Sequence, residues 1–314
     1  MKSLYREYRP KSFAEVIGQK HITQTLQNQI RTNTVGHAYL FCGTRGTGKT
    51  SVAKIFAAEL VGAKNTLDIF EIDAASNNSV TDVREIIDAV KYPPIGGKFK
   101  VYIIDEVHMF SSSAFNAFLK TLEEPPAHVV FILCTTEPHK LLPTVQSRCL
   151  RFDFRSVSVA DIEKLLQKIF TKEQITADAA AITMLAQSGC GSFRDALSFA
   201  ETVIAYCGGK AVTIADVTTV LGSVSNELLT ELLKDICTKQ PKSIQSSVTK
   251  IFNRGINPAL LVKNFLETIK AEIFAGQPLG PIFQIFAELE LAIKQSTDPR
   301  VHFENACLVA CGLA

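Results

Sequence analysis

The 314-residue sequence has no apolar run of 18 or more residues, the length a membrane-spanning helix needs. Its opening residues, Met1 to Pro10, carry no apolar signal-peptide core, so the expectation is a cytoplasmic protein without membrane contact. Bulk charge is nearly absent: the formal net charge is +2, and any basic surface for nucleic acid must be local. None of the eight cysteines (42, 134, 149, 190, 207, 237, 307 and 311) stands in C-x-x-C spacing. Buried reduced thiols are expected rather than a disulfide framework or a zinc site. Cys307 and Cys311 lie one helical turn apart with His302 as the nearest candidate partner, and core packing is the preferred reading. Internal repeats and low-complexity tracts are also lacking. What is present is a globular composition, 46% apolar and 20% charged, in a chain long enough for two or three domains.

The first half alternates strand-like and helical patterns. Apolar runs at Tyr39–Cys42, Asp68–Ile72, Lys100–Ile104, Val129–Cys134 and Leu150–Phe154 read as strands. Helical patterns between them cover Lys20–Thr32, Lys49–Leu60, Val80–Lys91 and Ser113–Leu122. Near-continuous apolar strands alternating with helices indicate an α/β domain with a parallel sheet over residues 1–155. Helical patterns at Val159–Phe170, Ala177–Gln187, Phe193–Tyr206 and Ile214–Leu221 make a second, helical domain over 156–222. Their expected caps are Ser158, Thr176, Ser192 with Asp195, and Thr213 with Asp216. A third helical domain, 223–314, is punctuated by breaks at Gln240-Pro241, Gly255 to Pro258, Gly276 to Pro278 and Asp298-Pro299.

The segment Gly43-Thr44-Arg45-Gly46-Thr47-Gly48-Lys49-Thr50 follows a strand and opens a helix, the order a phosphate cradle needs. Its glycines let backbone N–H groups turn toward a polyphosphate, and the helix N-terminus adds a favourable dipole. Lys49 is then placed for the β- and γ-phosphates, and the Thr50 hydroxyl for Mg²⁺. Asp105, at the C-terminal end of the strand Val101–Ile104, is the candidate Mg²⁺ holder, and Glu106 the candidate base for an attacking water. Thr135 and Thr136 end the next strand, where a hydroxyl reaches toward the same place; on spacing alone they are ordinary turn threonines.

Together these segments resemble the AAA+ proteins, and within them the clamp-loader ATPases of the bacterial DNA polymerase III gamma/tau family. The resemblance rests on Tyr8 to Phe13, Val16 to Gln19, the P-loop, Glu71 to Asn77, Asp105 to Met109, Leu119 to Pro126, Ser147 to Cys149 and Gly191 to Leu197, spread over all three expected domains. It implies an AAA+ P-loop domain, a helical lid and an all-α collar for oligomerisation. It implies that Tyr8, Arg9, Val16 and Ile17 flank adenine and ribose, with Ser51 completing the P-loop contacts. Thr136 becomes the first sensor. Arg194 becomes a second sensor reaching the γ-phosphate from the lid; Ser192 as N-cap sets it in a first helical turn, where a cation does not suit the dipole. Arg148 matches an arginine finger that completes the site of a neighbouring subunit; alone it reads equally as a surface residue after a loop.

Further implications concern partners: a hetero-oligomeric, pentameric ring of loader subunits, a sliding clamp and primer–template DNA, within the polymerase holoenzyme. Asn77, in a segment whose N–H groups open a helix, with Lys120 and Lys140, would make sequence-blind contacts to DNA phosphates; each lysine alone reads equally as a solvated charge. Two features depart from the family. The link Val61 to Thr66 is too short for the four-cysteine zinc module usual there, so ATP and Mg²⁺ are expected and zinc is not. No long tail of the kind that joins loader to polymerase and helicase follows the third region. Two competing readings are a non-catalytic, stator-like loader subunit, against which stand Lys49, Thr50, Asp105 and Glu106, and an AAA+ repair or branch-migration ATPase, against which stand Thr121–Pro126 and Ser147–Cys149.

Overall fold

The apolar runs form one parallel five-stranded sheet in a computed structural model that describes residues 3–62, 66–222, 226–253, 256, 258–293 and 298–312. The strands are β1 (Ala38–Cys42), β2 (Ile69–Asp73), β3 (Lys100–Asp105), β4 (Val129–Thr135) and β5 (Leu150–Asp153), in spatial order β2-β3-β4-β1-β5. All four pairings are parallel. Every residue of β1 and β4 is buried, as continuous apolar strands covered on both faces require. The edge strands β2 and β5 instead carry Glu71, Asp73, Arg151 and Asp153, charges that discourage pairing with another chain.

The helices are α1 (Leu4–Glu7), α2 (Lys20–Thr32), α3 (Lys49–Val61), α4 (Val80–Ala89), α5 (Ser112–Glu123), α6 (Pro143–Gln146), α7 (Val159–Lys172), α8 (Ala179–Ser188), α9 (Phe193–Cys207), α10 (Ile214–Leu221), α11 (Asn226–Cys237), α12 (Pro241–Phe252), α13 (Pro258–Phe274), α14 (Gly280–Ile293) and α15 (Pro299–Ala310). Strand alternation divides the sheet core in two. Tyr39, Phe41, Val101, Ile103, Val130 and Ile132 pack with Leu26 of α2 and Val52 and Phe56 of α3. Leu40, Tyr102, Ile104, Phe131 and Leu133 pack with Val83 and Ile86 of α4 and Phe115 and Phe118 of α5. The register pairs Cys42 with Thr135 and Ile104 with Leu133. The C-terminal ends of β1, β3 and β4 therefore share one edge, from which the P-loop, Asp105 and Thr136 emerge.

The chain divides into two compact units: residues 1–174 with 185–201, and 175–184 with 202–314. In the second unit, α11 to α15 share one apolar core that includes Leu229, Phe265, Phe286 and Phe303. Cys307 and Cys311 are buried in that core, in keeping with the packing reading. Burial of the thiols is otherwise only partial: Cys42 and Cys134 are enclosed, Cys149 and Cys207 are intermediate, and Cys190 and Cys237 are exposed.

Ser158 and Thr213 cap α7 and α10 through the N–H groups of Asp161 and Asp216, and the Thr213–Asp216 pair forms a reciprocal capping box. Thr176 does not cap a helix. Its carbonyl accepts from Val212 N–H, Ala177 bridges Val212, and α8 starts at Ala179. A short extended contact takes the position where a cap was expected. Val80–Lys91 is also shorter than expected, with α4 ending at Ala89.

Candidate nucleotide site

The loop after β1 owes its path to glycine. Gly48 caps α3 at φ 101° and ψ 9°, and a Cβ there would meet nothing within 4 Å. Glycine is needed for the left-handed backbone alone, and the cleft side of the loop stays clear. Gly46, at φ 76°, has a different reason: a Cβ would fall 1.9 Å from Ser192 Oγ. The Phe193 N–H donates to the Gly46 carbonyl at 3.1 Å, so the P-loop is braced against the start of α9.

Lys49 is only 6% exposed, and its Nζ donates to the carbonyls of Gly43 at 2.7 Å and Thr44 at 2.9 Å. Burial pushes its ammonium below the ordinary lysine range, opposed by the charges of Glu106 and, more weakly, Asp105. The Thr50 hydroxyl donates to Asp105 Oδ2 at 2.7 Å, which joins the P-loop helix to the end of β3. A hydroxyl and a carboxylate at the head of a phosphate loop are hard oxygen donors, the type Mg²⁺ selects. The residues present thus fit a triphosphate with its metal.

Glu106 follows with a left-handed backbone, φ 48° and ψ 43°. Its N–H donates to Asp105 Oδ1 at 3.1 Å, and Thr136 Oγ1 donates to its Oε2 at 3.0 Å. His108 lies behind it with a side chain 6% exposed. Its Nδ1 is 3.0 Å from Thr135 Oγ1 and 3.5 Å from Glu106 Oε2, and its Nε2 is 3.1 Å from Glu137 Oε2. A carboxylate only accepts, so Nε2 is the donor to Glu137. Glu137 also pairs with Lys140 at 2.9 Å, and that hydrogen bond holds its carboxyl below the usual range.

A cleft of about 620 Å³ opens over these groups, within the usual size of a small-molecule site. Tyr8, Arg9, Val16, Ile17, Arg45 to Ser51, Asp105, Glu106 and Arg194 all line it. Gly43 and Thr44 sit behind it, holding Lys49. Arg9 Nε donates to Ser51 Oγ at 2.9 Å, fastening the N-terminal segment to α3. The Tyr8 hydroxyl donates to Glu173, which pushes the phenol up to about 12, and Lys172 lies 4.9 Å over its ring. The Arg194 guanidinium sits 5.0 Å over the Tyr5 ring.

Four sequence candidates lie elsewhere. Arg148 donates to Glu123 Oε1 at 2.6 Å and to the Thr144 carbonyl at 2.8 Å. Lys120 and Lys140 are exposed, the latter paired with Glu137. At Asn77 an expectation needs correcting, because most of the N–H groups of its segment are already taken. Those of Ala75, Ser76 and Asn77 donate to Asp73 and that of Ser79 to Asp82, while Asn77 Nδ2 donates to the Asp73 carbonyl at 3.0 Å. The turn satisfies itself before the capping box of α4 begins.

Sequence reading passed over Tyr5, His108, Glu123 and Glu137. His108 and Glu123 each stand within motifs already singled out, three residues after Asp105 and one before Glu124, so their position was the available signal. Among the described residues, no group of three or more His, Cys, Asp or Glu side chains is arranged to hold a metal by itself, and no helix is long and apolar enough to cross a membrane.

Three family descriptions match successive stretches: the DNA polymerase III delta subunit over residues 18–158, the DNA polymerase III clamp loader subunit ATPase lid domain over 161–209, and domain III of the DNA polymerase III gamma and tau subunits over 212–274. The chain is 38% identical to DNA polymerase III subunit tau of Bacillus subtilis, with 98% of this chain and 63% of that protein covered. It is 39% identical to DNA polymerase III subunit gamma of Buchnera aphidicola, covering 81% of this chain and 75% of that one. Against subunit tau of Escherichia coli the identity is 41%, over 83% of this chain and 43% of that protein. The chain thus spans just under two thirds of the Bacillus subtilis protein and less than half of the Escherichia coli one. Among solved structures, the RuvB Holliday junction branch migration motor of Thermotoga maritima superposes with a TM-score of 0.58 at 19% identity, covering 82% of this chain and 90% of that one. That likeness is one of fold, the parallel sheet with its covering helices.

Proposed function

Because the chain belongs to the family of DNA polymerase III gamma and tau subunits, we propose that it is an ATPase subunit of a clamp loader, binding and hydrolysing ATP to open a sliding clamp and load it on primed DNA. The observation that carries the hydrolytic part is the Thr50–Asp105 hydrogen bond of 2.7 Å, with Glu106 held beside it by Thr136. Thr50 and Asp105 would hold Mg²⁺, which supplies charge neutralisation at the phosphates when bound. Lys49 and the Arg45–Ser51 backbone bind the triphosphate. Tyr8, Arg9, Val16 and Ile17 bound the base and sugar. Glu106 orients and deprotonates the attacking water, Thr136 fixes Glu106, and Arg194 reaches the γ-phosphate.

Arg148 acts outward, on the ATP of a neighbouring subunit. Its support is its exposure and its two anchors, Glu123 and the Thr144 carbonyl, which present the guanidinium at the surface. We read the chain as an ATPase domain to residue 155, a lid to residue 222 and a collar beyond, with hetero-oligomeric assembly through the collar. Lys120 and Lys140 would contact the DNA backbone, and the cytoplasm is the compartment this role implies.

The test is ATP turnover by the chain alone, then with the other loader subunits, a sliding clamp and primed DNA. Strong stimulation in the full mixture alone is the expected result, with Arg148→Ala cutting it by about 10³-fold while ATP binding persists. High turnover by the isolated chain, indifferent to Arg148→Ala, would sink the proposal.

A further inference from the structure

We infer that Tyr5 is a positioning residue for Arg194, holding the guanidinium at the mouth of the cleft as an unneutralised cation. The inference rests on the reading of the cleft as an ATP site. Arg194 stands in the first turn of α9, beside the positive end of the helix dipole, where a cation gains nothing from the helix. Among the described residues its guanidinium has no carboxylate partner; it lies 5.0 Å over the Tyr5 ring instead. The choice of an aromatic ring matters chemically. A carboxylate would orient the arginine but cancel its charge, and an incoming γ-phosphate would have to displace it. A ring face attracts the cation through its quadrupole and leaves the positive charge and the N–H donors available.

The ring is held in place from two directions. The Leu4 N–H donates to Glu201 Oε2 at 3.2 Å, fixing α1 along the same α9 that carries Arg194. Arg9 binds Ser51 at 2.9 Å, fixing the far end of the segment to the P-loop helix. Tyr5 and Arg194 both line the cleft. The segment Leu4–Arg9 thus ties the loop that receives the phosphates to the arginine that meets the last of them. Holding a long, flexible side chain beforehand lowers the ordering cost when the nucleotide binds.

The prediction is selective for the γ-phosphate. ATP and ADP affinities of the full chain, measured by calorimetry with Mg²⁺, are compared for wild type, Tyr5→Phe, Tyr5→Leu, Arg194→Ala and Tyr5→Leu combined with Arg194→Ala. Loss of one cation–π contact should weaken ATP by about two- to fivefold in Tyr5→Leu. ADP should be nearly unaffected, Tyr5→Phe should match wild type, and Tyr5→Leu should add nothing once Arg194 is gone. Thermal melting of each variant checks that the fold is retained. Equal weakening of ATP and ADP overturns the inference, since Tyr5 would then serve only the base or sugar side. Additive losses in the double variant, or unchanged ATP affinity in Tyr5→Leu, also overturn it while the ATP-site reading stands. A wild-type chain that binds neither nucleotide overturns both.

Discussion

The sheet-bearing unit and the helical unit both enclose large aromatic cores, yet they treat buried polar groups differently. In the helical unit the buried polar side chains are Asp235 and Ser247, among the described residues, and they answer one another. Ser243 and Ser247 donate to Asp235 Oδ2 at 2.6 and 3.4 Å. In the sheet unit several buried polar side chains, Gln19, Asp68 and Lys100 among them, likewise satisfy nearby backbone, but Lys49, Thr47, Thr135 and Ser192 gather around the strand ends where the loops meet. Polar groups in the first case hold helices together. In the second, one group of them lies beside the cleft read as the nucleotide site. The difference follows from the architecture: parallel strands end together and present their loops on one edge, as open α/β sheets do, whereas a helical bundle spends its interior on apolar packing.

That contrast can be broken experimentally, because stability and ligand binding should separate by unit. The largest effect is expected from Phe265→Ala, which removes a fully buried ring packed edge-to-face 4.7 Å from Phe286; unfolding in denaturant should lose about 3–5 kcal/mol. ATP affinity of the folded chain should be unchanged, and a matching loss of affinity would dissolve the distinction. Next comes Lys49→Ala, expected to weaken ATP by at least about 100-fold, roughly 2.7 kcal/mol, with little change in the melting of the helical unit. Calorimetry and a two-probe melt read the two quantities.

A smaller effect sharpens the picture within the sheet unit. His108→Ala removes the bridge between Glu106 and Glu137 and should cut kcat of the loader assembly by about tenfold through misplacement of Glu106, with KM for ATP kept. His108→Gln, which retains a donor, should recover part of the loss; a change confined to KM would contradict the assignment. The smallest is Thr213→Ala at the capping box of α10, expected to cost about 1 kcal/mol in denaturant unfolding and nothing in ATP affinity.

Much of the sheet unit was readable before its structure. The strands fall within a residue or two of their apolar runs because burial on both faces demands unbroken apolar sequence. Arg45 to Thr50 of the P-loop, Asp105, Glu106 and Arg194 share the expected cleft because strand ends and a helix start place them there. Strand order was not readable: nothing in a run such as Val129–Cys134 says that β4 separates β3 from β1. Thr176 misled because a cap-forming residue type also suits extended backbone, and only Val212, far along the chain, decides between them. Asn77 misled because Asp73 takes the N–H groups that its segment seemed to offer. Tyr5 gave no signal, since a lone tyrosine acquires its meaning from an arginine nearly two hundred positions later. His108 was visible inside its motif, but its bond to Glu137 joins loops after different strands.

Glu106 holds a conformation that residues with a side chain rarely adopt, φ 48° and ψ 43°. Backbone strain of that sort costs about 1–3 kcal/mol. A glycine there would relieve it, so Glu106→Gly should fold more tightly than wild type while losing the carboxylate that accepts from Thr136. The chain then stands below its own attainable stability at the residue proposed to meet the water. Selection for a sturdier protein and selection for a faster one would pull that residue in opposite directions.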